Sequence, residues 1–366
     1  MLIDRVRIAL AITSAGFVCA CSAPPPPPPN AEPVATTESA ITSGALSFPV
    51  TVRGTGGATI AAHVFENPAH RGVVNVLAVH GLSETGFIFG PMAQTIFADR
   101  ALGLTVRRII AIDLPGHGDS SDPTNLPEGV DFGDLTIEDE TSVVIQSIDA
   151  LRKLGVPASA IVAHSMGGLE VQLAQQELLD EGSSLAAHGI FGVTLLAPVP
   201  VANVPWVPPQ SDLSAFIVAD PVLGTYVQLT PAAFVGLAFT TRSGTLATDA
   251  PTAAEVQAAR YVGAEPLSSV LELIGASVPT PDGGTVTLQR PSAKAGSLGP
   301  EHGTLTTIVS FSEDVLVPAQ YLGPLYEYLT GDKRDRLYKP VVAPDAVHEM
   351  LIANPGGLLD AIRPML

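Results

Sequence analysis

The chain has 366 residues, of which 46% are hydrophobic and 15% charged, and a formal net charge of −18. That much apolar material fills a large core, which excludes a wholly disordered chain. The acidity repels phosphates and argues against nucleic acid as a partner. The length suits two domains, or one large α/β domain with an insertion.

The first predicted element is a targeting segment. Arg5 and Arg7 precede an uncharged run over 8–20, which is shorter than the about 20 residues of a membrane-spanning helix. This is the layout of a secretory signal over 1–20. Both cysteines, Cys19 and Cys21, close the segment, so the exported body is expected to have no disulfide and no cysteine metal site. Val18-Cys19-Ala20-Cys21 resembles a bacterial lipobox. The resemblance implies lipid attachment at Cys21 and a cell-envelope lipoprotein held at a membrane surface. Cleavage near Ala20 into a secreted or periplasmic protein is the alternative. The prolines at 24–29 favour an extended spacer, so 21–45 reads as a linker and the folded body starts near Ala45.

Two β-branched stretches, 46–52 and 58–66, flank a glycine-rich turn and predict a hairpin. Apolar strands follow at 72–81 and 190–199, another opens 106–123 and breaks into a Gly/Pro/Asp loop, and 160–168 reads as a strand, a one-residue corner and a helix start, with helices around 91–100, 138–154 and 166–180. Strand–helix alternation predicts an α/β fold, a mostly parallel sheet covered by helices on both faces. The loops His80-Gly81-Leu82, Asp113 to Ser120 and His164-Ser165-Met166 all follow strand ends, the edge where open α/β sheets bind ligands. The rhythm breaks over 200–302, where short helices are expected at 211–218, 252–262 and 266–274. A structureless stretch of that length is improbable, so it reads as an inserted helical cap between core segments 46–199 and 303–366. The second core segment predicts a strand at 306–314, a helix at 319–329, a strand at 336–343 and a terminal helix at 348–362.

The strongest chemical signal is Ala163-His164-Ser165-Met166-Gly167-Gly168. A strand turning directly into a helix thrusts the corner side chain outward and demands small residues two places either side. Ala163 stands where the usual pattern has glycine. A serine before a helix also serves as an N-cap, but the small flanks after an apolar strand favour a nucleophile at Ser165. A base and a carboxylate must then follow. His348 lies between the last strand and the last helix, with His302 as a competitor. Asp314 ends the strand before it, with Glu313 and Asp345 as rivals. Glu313 should point the other way, and Pro344-Asp345 reads as a turn.

Over 46–200 and 303–366 the chain resembles the α/β-hydrolase-fold serine hydrolases, whose order of nucleophile, acid and histidine along the chain it shares. The resemblance implies a catalytic Ser165, Asp314 and His348, with an oxyanion hole from the N–H groups of Met166 and Leu82. It implies carboxylic-ester hydrolysis through an acyl-enzyme, without metal or organic cofactor. His80 and the loop around His117 read as scaffold. Trp206, Phe216, Tyr226, Phe234 and Phe239 in the cap suggest a lipophilic small-molecule ester, or only core filling. Cleavage of a lactone, thioester or carbon–carbon bond by the same machinery, and a non-catalytic surface-anchored binding protein, are the alternatives.

Overall fold

The computed structural model describes residues 42–52, 56–67, 72–120, 126, 130–207, 216–220, 224–279, 285–331 and 340–362. The targeting segment, Cys21, the proline run and part of the helix expected at 211–218 lie outside them. Strand β1 (Thr42–Val52) starts a little ahead of the expected position and pairs antiparallel with β2 (Gly56–Glu66). Then come β3 (Val74–Val79), α1 (Gly90–Ala98), α2 (Arg100–Thr105) and β4 (Val106–Ile112). The sequence pattern did not predict α2, which Asp99 starts by accepting from the N–H groups of Ala101 and Leu102. Helix α3 (Ile137–Lys153) opens with a capping box between Thr136 and Asp139. Gly155, at φ +76°, follows its end. Strand β5 (Ala160–His164) runs straight into α4 (Ser165–Asp180), and β6 (Gly192–Leu196) follows.

The excursion after β6 is mixed rather than purely helical. It contains β7 (Ile217–Asp220), β8 (Gly224–Gln228), α5 (Pro231–Ala238), α6 (Ala253–Ala258), β9 (Ala264–Pro266), α7 (Leu267–Ile274) and the hairpin β10 (Ser277–Pro279)–β11 (Thr285–Thr287). Strands β7, β8 and β9 form a small antiparallel sheet. The helix expected at 211–218 thus gives way to a strand at its described end, where Ile217 and Val218 pair with Val227 and Tyr226. Cross-strand pairing overrides local periodicity there. The chain returns through β12 (Leu305–Phe311), α8 (Leu322–Thr330), β13 (Val341–Ala343), α9 (Met350–Ala353) and α10 (Pro355–Ile362). The single terminal helix expected from the sequence is split. Pro355 has no N–H to continue the ladder and pushes Asn354 out of helical geometry, to φ −144° and ψ 67°.

Among the described residues the main sheet has eight strands in the order β1-β2-β4-β3-β5-β6-β12-β13. Only β2 runs against its neighbours; the pairs from β4 through β13 are parallel. Residues alternate between two cores, as a period of two requires. Leu77, Ile110 and Ala163 face the side of α3, α4 and α8, whereas Ala78, Ala111 and Val162 face α1, α9 and α10. Val227, Phe234, Phe239, Val256 and Val270 form a third cluster within the insertion. The insertion leaves from the C-terminal end of β6, the sheet edge that carries Ser165, and the chain rejoins the sheet at the opposite edge, at the start of β12, which pairs parallel with β6. Among the described residues, no helix is long and apolar enough to cross a membrane.

Candidate active site

Ser165 sits at the corner between β5 and α4 with φ +50°, a conformation that costs a non-glycine residue roughly 1–3 kcal/mol. The first turn of α4 nearly touches the chain just past the ends of β3 and β6. A Cβ on Gly167 would lie 2.3 Å from the His80 carbonyl oxygen, and one on Gly168 2.6 Å from Pro198 Cβ. The close approach is on the helix side, and Ala163 is accommodated fully buried on the strand side. The capping position falls on His164, not on Ser165.

The structure brings Ser165, His348 and Asp314 into one relay. His348 Nε2 lies 2.9 Å from Ser165 Oγ, and His348 Nδ1 lies 2.8 Å from Asp314 Oδ2. The other carboxylate oxygen, Oδ1, accepts the N–H groups of Leu316 and Val317 at 2.7 and 2.9 Å. A carboxylate only accepts, so Nδ1 carries the proton and Nε2 turns its lone pair toward the serine hydroxyl. Ser165, His348 and Asp314 are 6%, 4% and 0% exposed. Burial by itself opposes charging His348. The adjacent Asp314 carboxylate outweighs it, Glu349 and Glu84 add to the pull while ionised, and the pKa rises to about 9.

The rival residues lie elsewhere. His302 precedes β12 and approaches Glu301, at the sheet edge opposite Ser165. Glu313 accepts from the Arg242 N–H. Asp345 has φ +51° in the turn after β13. His63 pairs with Asp113 at 2.7 Å and His188 with Asp149 at 3.0 Å. His70 is outside the described residues.

Gly81 passes directly against the corner at Ser165, with Leu82 next to it. A Cβ on Gly81 would stand 2.7 Å from Ser165 Cβ, so only glycine lets the loop come this close. His80 accepts the Leu114 N–H at Nε2 and donates from Nδ1 to the Gly81 carbonyl at 2.9 Å. Burial, with His117 adding, pushes its pKa down to about 3 and keeps it neutral. Met166 is the second residue of α4, so its N–H has no acceptor inside the helix.

An apolar cavity of ≈ 100 Å³ opens on Ser165 and His348. Leu82, Val199 and Val317 form its floor, and Trp206, Leu229, Phe234, Leu237 and Leu273 from the insertion form its walls. Of the five insertion aromatics noted in the sequence, Trp206 and Phe234 face this cavity. Phe239 and Phe216 belong to the insertion's own core, and Tyr226 packs on Phe132.

Three buried glutamates around the site carried no sequence signal. Glu84 reaches the Gly81 N–H and His164, Glu265 reaches the Ser83 N–H and His117, and Glu349 Oε1 lies 3.6 Å from His164 Nδ1. Among the described residues, two clusters have metal-ligand spacing, His164–His348–Glu349 and His63–Asp113–Asp119. Their histidines already bond protein partners: His164 the His348 carbonyl, His348 both Ser165 and Asp314, and His63 the Asp113 carboxylate.

Comparison with known proteins agrees with this architecture. No curated protein matches the chain. Among solved structures, a peroxisomal α/β-hydrolase from Saccharomyces cerevisiae superposes with TM-score 0.52 at 13% identity, covering 88% of each chain. A thermophilic esterase from Thermogutta terrifontis gives 0.51 at 16% identity, covering 87% of this chain and 97% of its own. A serine hydrolase from Cycloclasticus zankles gives 0.51 at 15%, with 87% and 98% covered. At these identities the likeness is one of fold. The family model for the alpha/beta hydrolase family matches residues 76–361, most of the chain, and the protein belongs to that family.

Proposed function

We propose that the protein is a serine hydrolase that cleaves small, lipophilic carboxylic esters. The observation that carries this reading is the relay Ser165–His348–Asp314 opening onto an apolar cavity. In the proposed reaction His348 Nε2 takes the Ser165 proton as Oγ bonds to the acyl carbon. The N–H groups of Leu82 and Met166 hold the resulting oxyanion. The bond to the alcohol oxygen breaks, and that oxygen receives the proton from His348. Water then repeats the sequence on the acyl-enzyme and frees the acid. Neither step requires a metal or organic cofactor.

The test is a fluorophosphonate probe together with p-nitrophenyl esters of graded chain length. Labelling at Ser165 with ester turnover is expected, and Ser165→Ala should lose about 10⁴–10⁶-fold in kcat. No labelling would point to a binding protein. Labelling without ester turnover would point to a lactone, thioester or carbon–carbon bond.

We further propose export and lipid anchoring through Cys21, resting on the sequence of the N-terminal segment. Fatty-acid labelling that disappears in Cys21→Ala is the expected result; label that persists in the variant, or none in the parent, refutes the anchor.

A further inference from the structure

The loop that would supply the Leu82 N–H is held on both sides by buried carboxyl groups. Upstream, the Gly81 N–H donates to Glu84 Oε2 at 2.7 Å. Downstream, the Ser83 N–H donates to Glu265 Oε2 at 2.7 Å. Between them, the Gly81 carbonyl receives the His80 Nδ1–H at 2.9 Å and the Glu84 N–H at 3.2 Å. In a trans peptide the N–H points opposite to the C=O, so fixing the Gly81 carbonyl fixes the direction of the Leu82 N–H. Three consecutive peptide groups are thus pinned.

Each carboxyl is itself held by a buried histidine. His117 Nδ1 faces the Pro115 carbonyl at 3.1 Å, and His164 Nε2 faces the His348 carbonyl at 3.0 Å. A carbonyl only accepts, so those nitrogens carry the protons. The neutral rings then turn bare nitrogens toward Glu265 at 3.0 Å and Glu84 at 3.1 Å. The bonding proton sits on the carboxyl side. Burial acts in the same sense: it pushes His117 and His164 down to about 4, Glu265 up to about 8, and Glu84 upward.

Glu265 is the more informative of the two because it lies on β9 of the insertion. Ser83 has φ +56°, and both its backbone groups bond to the insertion, the N–H to Glu265 and the carbonyl to the Gly263 N–H at 2.9 Å. Glu84 and Val262 form an antiparallel bridge alongside. Gly263 is required by this approach, since a Cβ there would lie 2.8 Å from the Glu84 carbonyl oxygen. A left-handed serine costs roughly 1–3 kcal/mol and persists only where its surroundings over-determine it.

We propose that Glu265 and Glu84 are positioning residues that clamp the peptides on either side of the Leu82 N–H, so that the inserted segment, through Glu265, helps to build the oxyanion hole as well as to wall the cavity. The proposal rests on the reading of Ser165 as nucleophile and Leu82 as oxyanion donor. It is tested on the full chain with E265L, which removes the acceptor, and E265Q, which retains one. A boronic acid that forms a tetrahedral adduct on Ser165 reports on the oxyanion site. For E265L, kcat should fall about 10- to 100-fold with KM little changed, less than the 10²–10³-fold cost of deleting a donor outright. Boronate affinity should weaken in parallel, and E265Q, whose amide oxygen still accepts the Ser83 N–H but then faces the bare His117 Nε2, should recover part of both. Wild-type kcat and boronate affinity in E265L overturn the proposal, and so does a kcat loss with boronate affinity intact. Should E265L not fold, amide exchange on the wild-type protein decides. Gly81 and Ser83 should be protected throughout, and Leu82 should gain protection only in the boronate adduct; unprotected flanking amides overturn the clamp. An active Ser165→Ala variant would instead remove the underlying functional reading, which separates the two failures.

Discussion

Replacing Asp314 with asparagine probes the proposed relay where its geometry is most constrained. Asp314 Oδ1 accepts two backbone N–H groups, from Leu316 and Val317, while Oδ2 faces His348 Nδ1 at 2.8 Å. An amide has one acceptor oxygen and one donor nitrogen. Placing its NH₂ against two N–H donors would leave three donors facing one another, so the oxygen stays at the Oδ1 place. The NH₂ then faces His348 Nδ1, which must accept. The imidazole proton moves to Nε2, 2.9 Å from Ser165 Oγ, and no lone pair remains to take the serine proton. The isosteric change leaves packing intact, so the wrong tautomer is the whole perturbation. It should cost about 10⁴-fold in kcat, close to 5 kcal/mol of transition-state stabilisation. The assay is steady-state hydrolysis of a p-nitrophenyl ester, with the melting temperature and KM as controls. An Asp314→Asn variant that folds and keeps kcat within tenfold of wild type would refute the reasoning.

Gly81→Ala places a methyl 2.7 Å from Ser165 Cβ and 3.1 Å from the His164 carbonyl; displacing the loop should cost about 100-fold or more in kcat/KM, and unchanged kinetics would contradict the close approach. The pH profile is a second check. His348 works as a base only when neutral, so kcat/KM falls as pH drops through its pKa. A histidine at its ordinary value would put that limb near pH 6–7, whereas Asp314 raises His348 above it, so activity should still be rising at pH 7. A profile already level at pH 7 would show that the lift is absent. Leu237→Ala enlarges the cavity wall at a half-buried position. The ratio of kcat/KM for a long over a short acyl ester should rise about tenfold, since a methylene in an apolar pocket is worth about 1–3 kcal/mol; a constant ratio would place the acyl chain elsewhere.

The corner at Ser165 was legible in the sequence because its steric demands are local. A strand, a turn and small residues within six positions dictate a backbone that no other context explains, and the structure places the tight approach at Gly167 and Gly168. His348 and Asp314 were legible through their places after strand ends and through resemblance, since neither lies near Ser165 in sequence. The alternation that feeds the two faces of the sheet was likewise written in the strands. The described end of the helix expected at 211–218 and the unbroken terminal helix were misread because pairing in β7 and the proline at 355 act against local periodicity.

The glutamates were invisible for a different reason. Glu84, Glu140, Glu170, Glu265 and Glu349 are almost fully buried, yet in one dimension each is one of 36 acidic residues. Sequence records which residues carry charge; it does not record which of them lose water on folding. Glu265 meets Ser83 across 182 positions and His117 across 148, so only the closed tertiary structure decides that this carboxyl meets the loop rather than solvent. What the chain determined alone was the strand–helix scaffold and the strained corner at Ser165, because backbone sterics and hydrophobic period are local. What folding decided was the electrostatic setting of that corner, because desolvation and hydrogen bonding between distant segments exist only once the segments meet.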